Sequence, residues 1–295
     1  MVIAFGFGVG ILIGLTGIGG GSLMTPLLVL FAGVSPVVAI GTDLAYGAIT
    51  KTLGGWRHLR KGTVDLGVSK WLAVGSVPGA LVGVWLLEVL QSHYGKGFQP
   101  VLLGAIAVAL LIVSLTILGR ALFMPKLVAR EVESITQTTR TKVTAICLGA
   151  FLGLILGVTS VGSGALIGLA LILVFKLTPH RVVGTDVFHA AILLWAAGLA
   201  HLVSGNVDFA LMGTILIGSL PGVLVGTHFV TRVPSGVLRP VLGCVLLGSA
   251  LGVLSKAGVA VPAVALIGVP LAVGGAAWLI SRGRPAPPEL KVVPA

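Results

Sequence analysis

Two glycine-rich segments carry residues that could bind an anion: Leu15–Ser22 (LTGIGGGS) and Val158–Ala165 (VTSVGSGA). Glycine lets an oxyanion approach the backbone, and the free N–H groups at the start of a following helix can donate hydrogen bonds to it. The alternative is that these small residues only permit close helix packing. The candidate binding residues are Thr16, Gly19, Gly20, Gly21, Ser22, Thr159, Ser160, Gly162, Ser163 and Gly164.

A Gly-Thr-Asp sequence follows each segment and places Asp43 and Asp186 inside apolar runs. Acids inside a membrane are costly and are therefore functional candidates. A carboxylate would repel an anion, so two hypotheses stay open for these residues: proton coupling, or acceptance of hydrogen bonds from the backbone of the opposing glycine-rich segment. The preceding Thr42 and Thr185 could donate to the bound anion or cap the chain locally.

The elements that must position these residues occur twice in the chain. Gly6–Gly83 matches Gly149–Gly226 without a gap, at an offset of 143 residues (186 − 43), and the identities are concentrated in glycine, proline and polar residues. Two halves of a membrane protein that are related in this way commonly enclose a site between them.

The composition places the chain among polytopic membrane proteins, because 56% of its 295 residues are hydrophobic and only 9% are charged. The apolar runs are continuous and near span length, which predicts helices rather than the alternating strands of a barrel. The two cysteines, Cys147 and Cys244, lie in apolar runs and indicate packing rather than a disulfide or a metal site. The net charge of +11 comes from connections between spans, which favours membrane orientation over nucleic-acid binding.

Each glycine-rich segment interrupts an apolar run that is too long for one crossing, since about 20 helical residues span a bilayer. If each run crosses once, the 19 Lys and Arg residues divide almost evenly between the two faces. If each run is a hairpin with the glycines at its tip, all of them except Lys96 and Lys256 lie on one face. Positive residues mark the cytoplasmic side, so the pattern predicts inverted repeats in the inner membrane, with the amino terminus outside and the carboxyl terminus in the cytoplasm.

The predicted fold is an all-α polytopic membrane protein with two inverted repeats. Each repeat comprises a glycine-broken helical hairpin, with half-helices of about 14 to 17 residues that reach the membrane interior, and three transmembrane helices. One extra transmembrane helix follows at the carboxyl end. The predicted boundaries are 1–119 for the first repeat, 120–142 for a cytoplasmic linker, 143–254 for the second repeat, 255–281 for the extra helix and 282–295 for a cytoplasmic tail.

Three polar residues near the ends of predicted spans are given structural interpretations. Asp65 and Asp208 each follow Gly-x-Val, where an acid favours a helix N-terminus. Lys51 could attract anions from the cytoplasm, although cations near a span end more often extend along their stems to the interface.

The LTGIGGGS sequence, the later Gly-Thr-Asp and their weaker copies after a basic linker resemble the TauE/SafE sulfite exporter family, also called the toluene-sulfonate uptake permease (TSUP) family. The resemblance covers nearly the whole chain. It implies a secondary carrier of small sulfur-containing anions, such as sulfite, sulfoacetate and related sulfonates. It leaves the particular substrate and the direction of transport open.

The expected function is therefore transport of such an anion across the inner membrane by alternating access, with proton coupling as a hypothesis. A passive anion channel is the alternative, and accumulation against a gradient would separate the two. An enzyme is not expected, because no paired carboxylates, histidine-rich metal motif or nucleophile triad occurs in the sequence. No cofactor, metal or nucleic acid is expected as a partner, the lipid bilayer is expected as the surroundings, and homo-oligomerisation is left open.

Overall fold

The computed structural model describes residues 2–16, 21–123, 132–229 and 235–282. The regular elements in these ranges are helices, apart from one isolated β-bridge between Val132 and Leu177. The prediction of an all-helical chain is confirmed for this part of the protein. Residues 124–131 of the predicted linker and 283–295 of the predicted tail lie outside it.

The helices follow the predicted order in both halves. In the first half they are α1 (Val2–Thr16), α2 (Gly21–Phe31), α3 (Pro36–Arg60), α4 (Leu66–Tyr94) and α5 (Gln99–Phe123), with a short 3-10 helix at Gly95–Phe98. In the second half they are α6 (Thr139–Thr159), α7 (Leu166–Leu173), α8 (Pro179–Val203), α9 (Phe209–Phe229) and α10 (Ser235–Lys256), and α11 (Ala263–Arg282) follows. Proline starts both α3 and α8, where its missing N–H needs no partner.

Several helices are suited to a bilayer in both length and surface. Within the described residues, five helices are long and apolar enough to cross a membrane: Leu66–Tyr94, Gln99–Gly119, Thr139–Thr159, Pro179–Val203 and Phe209–Phe229. Large apolar side chains on these helices, among them Trp85, Phe151, Ile217 and Leu224, are more than half exposed. An apolar outer surface of this kind suits hydrocarbon rather than water, as a multi-pass membrane protein requires.

The two halves pack on one another reciprocally. Helix α1 packs along α9 and α6 packs along α4, and these two pairs are equivalent at the 143-residue offset. Helix α3 pairs with α8, and α5 pairs with α10. The Trp195 Nε1–H donates to Thr52 Oγ1 at 2.8 Å, and these positions are equivalent in the repeat (195 − 52 = 143). Contact between equivalent positions is expected near an axis that relates two halves, whereas the orientation of the repeats in the bilayer stays a prediction.

Glycines allow the α1–α9 and α4–α6 pairs to approach backbone to backbone. A Cβ atom added at Gly10 would lie 2.3 Å from the carbonyl oxygen of Ser219, and one at Gly153 would lie 2.1 Å from that of Ser76. Added Cβ atoms would also lie under 3.0 Å from backbone atoms at Gly6, Gly14, Gly75, Gly79, Gly83, Gly149, Gly157, Gly218, Gly222 and Gly226. Small residues at four-residue spacing are a recognised means of close helix association in membranes.

The second arm of each hairpin is shorter than the sequence predicts. Helix α1 has 15 residues, but α2 has 11 and α7 has 8. The prediction of about 14 to 17 residues is therefore wrong for α2 and α7. In the second hairpin, Gly162 (φ +118°) and Gly164 (φ +105°) have backbone angles outside the right-handed helix, so α7 begins only at Leu166.

Substitution of Gly10 tests the close packing of α1 on α9. We expect Gly10→Ala to lower the thermal unfolding midpoint in detergent, because the new methyl group would meet the backbone of Ser219 and overpacking costs about 1–3 kcal/mol. Gly8→Ala on the same helix is the matched control, since an added Cβ there has no described atom within 4 Å. Equal midpoints for the two variants would contradict this packing.

Candidate anion site between the two hairpins

Both broken apolar runs turn back on themselves. The ring centroids of Phe5 on α1 and Phe31 on α2 are 5.4 Å apart, so the outer ends of these two arms lie side by side. In the second half, Val132 N donates to Lys176 O at 2.9 Å, and Thr178 N donates to Val132 O at 3.2 Å. The chain before α6 therefore meets the chain after α7, with the glycine-rich segment between the two arms.

Asp43 on α3 connects the two hairpins. Its Oδ2 accepts hydrogen bonds from Thr25 Oγ1 on α2 at 2.6 Å and from Ser160 Oγ at the tip of the second hairpin at 2.9 Å. Asp43 is 1% exposed, and both donors are buried. Ser160 is the residue that caps the end of α6, and its backbone is left-handed (φ 58°). The backbone N–H of Thr25 also lies close enough to donate to this carboxylate. Asp43 is thus a hydrogen-bond acceptor, as one hypothesis proposes, but the contact from the opposing hairpin is the Ser160 hydroxyl rather than a backbone N–H.

Asp186 occupies the equivalent position on α8. It is 5% exposed, and the backbone N–H of Gly164 lies close enough to donate to its carboxylate. Its Oδ1 and that of Asp43 have no hydrogen-bond partner among the described residues. Each acid therefore has one carboxylate oxygen that could accept a proton or a further hydrogen bond.

Four buried hydroxyl groups near these acids lack a hydrogen-bond partner in the described part of the chain: Ser22, Tyr46, Ser163 and Ser219. Ser22 lies one turn before Thr25, and Ser163 precedes Gly164 at the second tip. The Tyr46 and Ser219 hydroxyls face each other without completing a hydrogen bond of normal geometry. An unsatisfied buried hydroxyl costs about 1–3 kcal/mol, so a group of them indicates a place for water or a ligand.

Thr42 and Thr185 each accept a hydrogen bond from the residue that precedes a helix of the opposite half. Thr42 Oγ1 accepts from Asp208 N at 3.0 Å, and Thr185 Oγ1 accepts from Asp65 N at 2.8 Å. The Asp65 and Asp208 carboxylates each accept from the N–H three residues later at 2.9 Å, which confirms their predicted capping role. Because an accepting hydroxyl still has a proton to donate, the anion-binding role of Thr42 and Thr185 stays a prediction.

The remaining predicted residues shape the tips or lie outside the description. Thr159 Oγ1 donates to Ile155 O at 2.7 Å and accepts from Val161 N at 3.1 Å, so it braces the second turn. Gly21 starts α2. The side chain of Thr16, and Gly19 and Gly20 entirely, lie outside the described part of the chain.

Lys51 lies in the buried centre rather than at the membrane interface. It is 7% exposed, and Asp186 and Asp43 both act on its ammonium electrostatically. The expected extension to the interface is wrong, because α3 continues to Arg60 and places Lys51 well before the end of the helix. The repeat could have indicated that Lys51 is buried, because the equivalent position in the second half (51 + 143 = 194) is the apolar Leu194.

His189 is a second buried titratable residue that the sequence reasoning missed. Its Nε2 lies 3.1 Å from Ser76 Oγ, and His189 is 1% exposed. In the repeat, the pair of His189 and Ser76 is equivalent to Tyr46 and Ser219 (189 − 46 = 143; 219 − 76 = 143). The two halves therefore differ at this position of the repeat: one has a histidine beside a serine, and the other has a tyrosine beside a serine.

A crevice of about 630 Å³ lies elsewhere, between α4 and α8. Its lining is mainly apolar and includes Leu66, Val74, Pro78 and Ile192. Three of these residues, Leu66, Val74 and Ile192, are exposed on the outer surface, so the crevice suits lipid chains better than an anion. The candidate anion site is therefore assigned from the buried polar groups between the hairpins.

Comparisons with known proteins give a consistent result. The family model for sulfite exporter TauE/SafE matches residues 2–253. The probable membrane transporter protein YjnA of Bacillus subtilis is 35% identical over 250 residues, which cover 85% of this chain and 97% of that protein. The probable membrane transporter protein YdhB of the same organism is 27% identical over 239 residues, covering 81% and 93% of the two chains.

A plant relative matches over a shorter stretch. Sulfite exporter TauE/SafE family protein 2 of Arabidopsis thaliana is 33% identical over 110 residues, which are 37% of this chain and 24% of that protein. No solved structure matches the chain.

The bond from Asp65 N to Thr185 can be tested by removing the hydroxyl while keeping the shape of the side chain. We expect Thr185→Val to lower the thermal unfolding midpoint in detergent, because it leaves a buried N–H without an acceptor, at a cost of about 1–3 kcal/mol. Thr185→Ser retains Oγ and is the matched control. A midpoint for Thr185→Val at or above that of Thr185→Ser would show that this bond does not hold the two halves together.

Proposed function

The chain belongs to the sulfite exporter TauE/SafE family, whose members include membrane transporters, and we propose that it is a secondary transporter of small sulfur-containing anions. Sulfite, sulfoacetate and related sulfonates are the proposed substrates, and alternating access across the inner membrane is the proposed mechanism. The substrate class is taken from the family description and from the resemblance of the glycine-rich segments.

The observation that carries the proposal is that each hairpin has a buried hydroxyl without a hydrogen-bond partner in the described part of the chain. A sulfonate has three oxygen acceptors and no donor of its own, so it complements a site whose hydroxyls have no acceptor. Ser22 and Ser163 supply such hydroxyls from the two hairpins. The N-terminus of α2 adds backbone N–H groups that have no acceptor within the helix itself and the positive end of a helix dipole.

Alternating access is supported by the way in which the helices pair. The hairpin arms α1 and α6 are fixed to α9 and α4 of the other half by close glycine contacts. Each pair can then move as one unit, and the movement would be concentrated at contacts between units. The Ser160–Asp43 hydrogen bond is a contact between the second hairpin and α3, where opening would expose the centre.

Contacts at the two ends of the protein support the proposed orientation. Arg181 Nη1 donates to Val64 O at 3.0 Å, which brings the α3–α4 connection to the start of α8, at the proposed cytoplasmic end. Lys256 Nζ donates to Val29 O at 2.5 Å, which brings the end of α10 to the end of α2. The charge pattern places Lys256 on the outer face. The same pattern places the end of α2 there, because the first hairpin is predicted to begin and end outside.

Proton coupling through Asp43 or Asp186 is part of the proposal. Both acids are buried, and each has an oxygen without a hydrogen-bond partner in the described chain. Protonation of one acid would reduce the repulsion that an incoming anion meets. A passive channel has no specific observation in its favour, and accumulation distinguishes it from a carrier.

Transport in proteoliposomes tests the proposal. With an imposed pH gradient, we expect sulfite or sulfoacetate to accumulate above its equilibrium distribution, which a channel cannot achieve. Asp43→Asn should lower the pH-driven accumulation at least tenfold. It should leave substrate exchange measurable, because exchange needs no net proton movement. Asp208→Asn is the control, since Asp208 caps α9 outside the buried centre and Asn is an equally good cap.

Accumulation that persists in Asp43→Asn would assign coupling to another group. Dissipation of an imposed substrate gradient, without accumulation under any ion gradient, would favour a channel. Loss of exchange together with loss of folded protein would assign Asp43 a structural role.

Cysteine labelling tests the proposed orientation. In a background without Cys147 and Cys244, a cysteine at Thr138 should react with an impermeant reagent only from the cytoplasm, and one at Ser92 only from outside. Both positions are exposed, so reagent access is not the limiting factor. Labelling of both positions from the same face would contradict the hairpin geometry and the inverted repeats.

A further inference from the structure

Lys51 is a buried lysine whose side chain has no hydrogen-bond partner among the described residues. Its Nζ contacts no acceptor among the described residues, although an ammonium has three donors to satisfy. Burial of a charge is costly unless the charge is paired and hydrogen-bonded. A bound group that is not part of the described chain would remove this cost.

The acids near Lys51 do not complete its coordination. Asp186 has the larger electrostatic effect on the ammonium and Asp43 the smaller. Neither carboxylate lies within 4.0 Å of the Lys51 ammonium, although all three residues belong to the described part of the chain. The two carboxylates are thus near enough to act on Lys51 without pairing with it. The buried Ser163 hydroxyl at the second tip, next to Gly164 and so near Asp186, also has no partner among the described residues.

The cation is present in only one half of the repeat. The equivalent residue on α8 is Leu194, which is also buried. A symmetric pair of hairpins would offer two equal subsites, whereas a single lysine gives one preferred position for negative charge. This asymmetry favours one anion for each protein.

We propose that Lys51 binds the substrate anion directly and is its charge partner between the two hairpins. The inference rests on the proposed function, since it assumes that an anion passes through this centre. The ammonium binds one oxygen of the sulfite or sulfonate group, and the free hydroxyls at the two tips donate to the others. The lysine thereby selects anions over neutral molecules of similar size.

The charges of the centre give a reason for proton coupling. The titratable groups that face it are Asp43, Tyr46 and Lys51 on α3 and Asp186 and His189 on α8. With both acids and the lysine charged, the sum is −1, and a monovalent anion would make it −2. Uptake of one proton by a carboxylate restores the starting charge, so anion and proton are expected to enter together.

Anion binding to purified protein tests the role of Lys51. The probes are sulfite, sulfoacetate, acetate and phosphate, and the measurement is calorimetric titration in detergent. Lys51→Met keeps the length of the side chain and removes its charge. We expect it to weaken binding of the anion that wild-type protein binds most tightly at least tenfold. Lys51→Arg should retain more affinity than Lys51→Met. Leu194→Met at the equivalent position is the matched control and should bind as the wild type does.

A double variant separates direct binding from simple neutralisation of the acids. If Lys51 only offsets the charge of Asp186, then Lys51→Met combined with Asp186→Asn should restore affinity, because the sum of charges is again −1. If Lys51 contacts the anion, this variant should fold and still bind at least tenfold more weakly than wild type. Wild-type affinity in the folded double variant, or in Lys51→Met itself, would overturn the inference.

The choice of probes separates this inference from the proposed function. Lysine-dependent binding of acetate or phosphate without binding of either sulfur anion would contradict the substrate class and support the role of Lys51. Tight binding of sulfite that does not depend on Lys51 would support the substrate class and refute the inference. Binding of none of the four probes by folded wild-type protein would contradict both.

Discussion

The fold depends on backbone-to-backbone contact between helices of opposite halves. Inside a bilayer, apolar side chains gain nothing from leaving lipid for protein, so association relies on dispersion, hydrogen bonds and close fit. Glycines such as Gly10 and Gly153 remove the side chains that would separate α1 from α9 and α6 from α4. The first arm of each hairpin, α1 or α6, is consequently held by the other half, and the two halves cannot be separated without exposing both interfaces. The tip of the second hairpin lies against α3 and α8, where Ser160 contacts Asp43 and Gly164 approaches Asp186.

The polar centre is stable only because the rest of the protein determines its geometry. Ser160 has a left-handed backbone and still donates to Asp43, and Thr25 donates to the same oxygen from the other hairpin. Other hydroxyls in the region, including that of Ser22, have no partner in the described chain. Unpaired buried donors lower the stability of the empty protein, and a bound oxyanion would recover that loss. Binding would then also strengthen the contact between hairpins and α3, which links occupancy of the site to its closure.

Much of the architecture could be predicted from the sequence because it follows from strong local constraints. Charged residues avoid lipid, and glycine and proline interrupt helices. Because the chain contains a repeat, each of these patterns occurs twice. The short arm α7 could not be predicted, since whether Gly162 and Gly164 continue a helix depends on their tertiary surroundings. The partners of Thr185 were equally inaccessible, because its bond to Asp65 joins residues 120 positions apart (185 − 65). Lys51 was misplaced because its neighbours in sequence resemble a span end, although α3 continues beyond them.

The differences between the halves carry more functional information than their similarities. Equivalent residues such as Asp43 and Asp186 make the scaffold nearly symmetric, and a symmetric scaffold has two related conformations of similar energy, as alternating access requires. Lys51, whose equivalent in the second half is the apolar Leu194, departs from this symmetry. In the proposed mechanism its ammonium offsets the charge of one of the two carboxylates and so makes the centre less repulsive to an anion. The proposed mechanism thus assigns movement to the repeat and selectivity to the departure from the repeat.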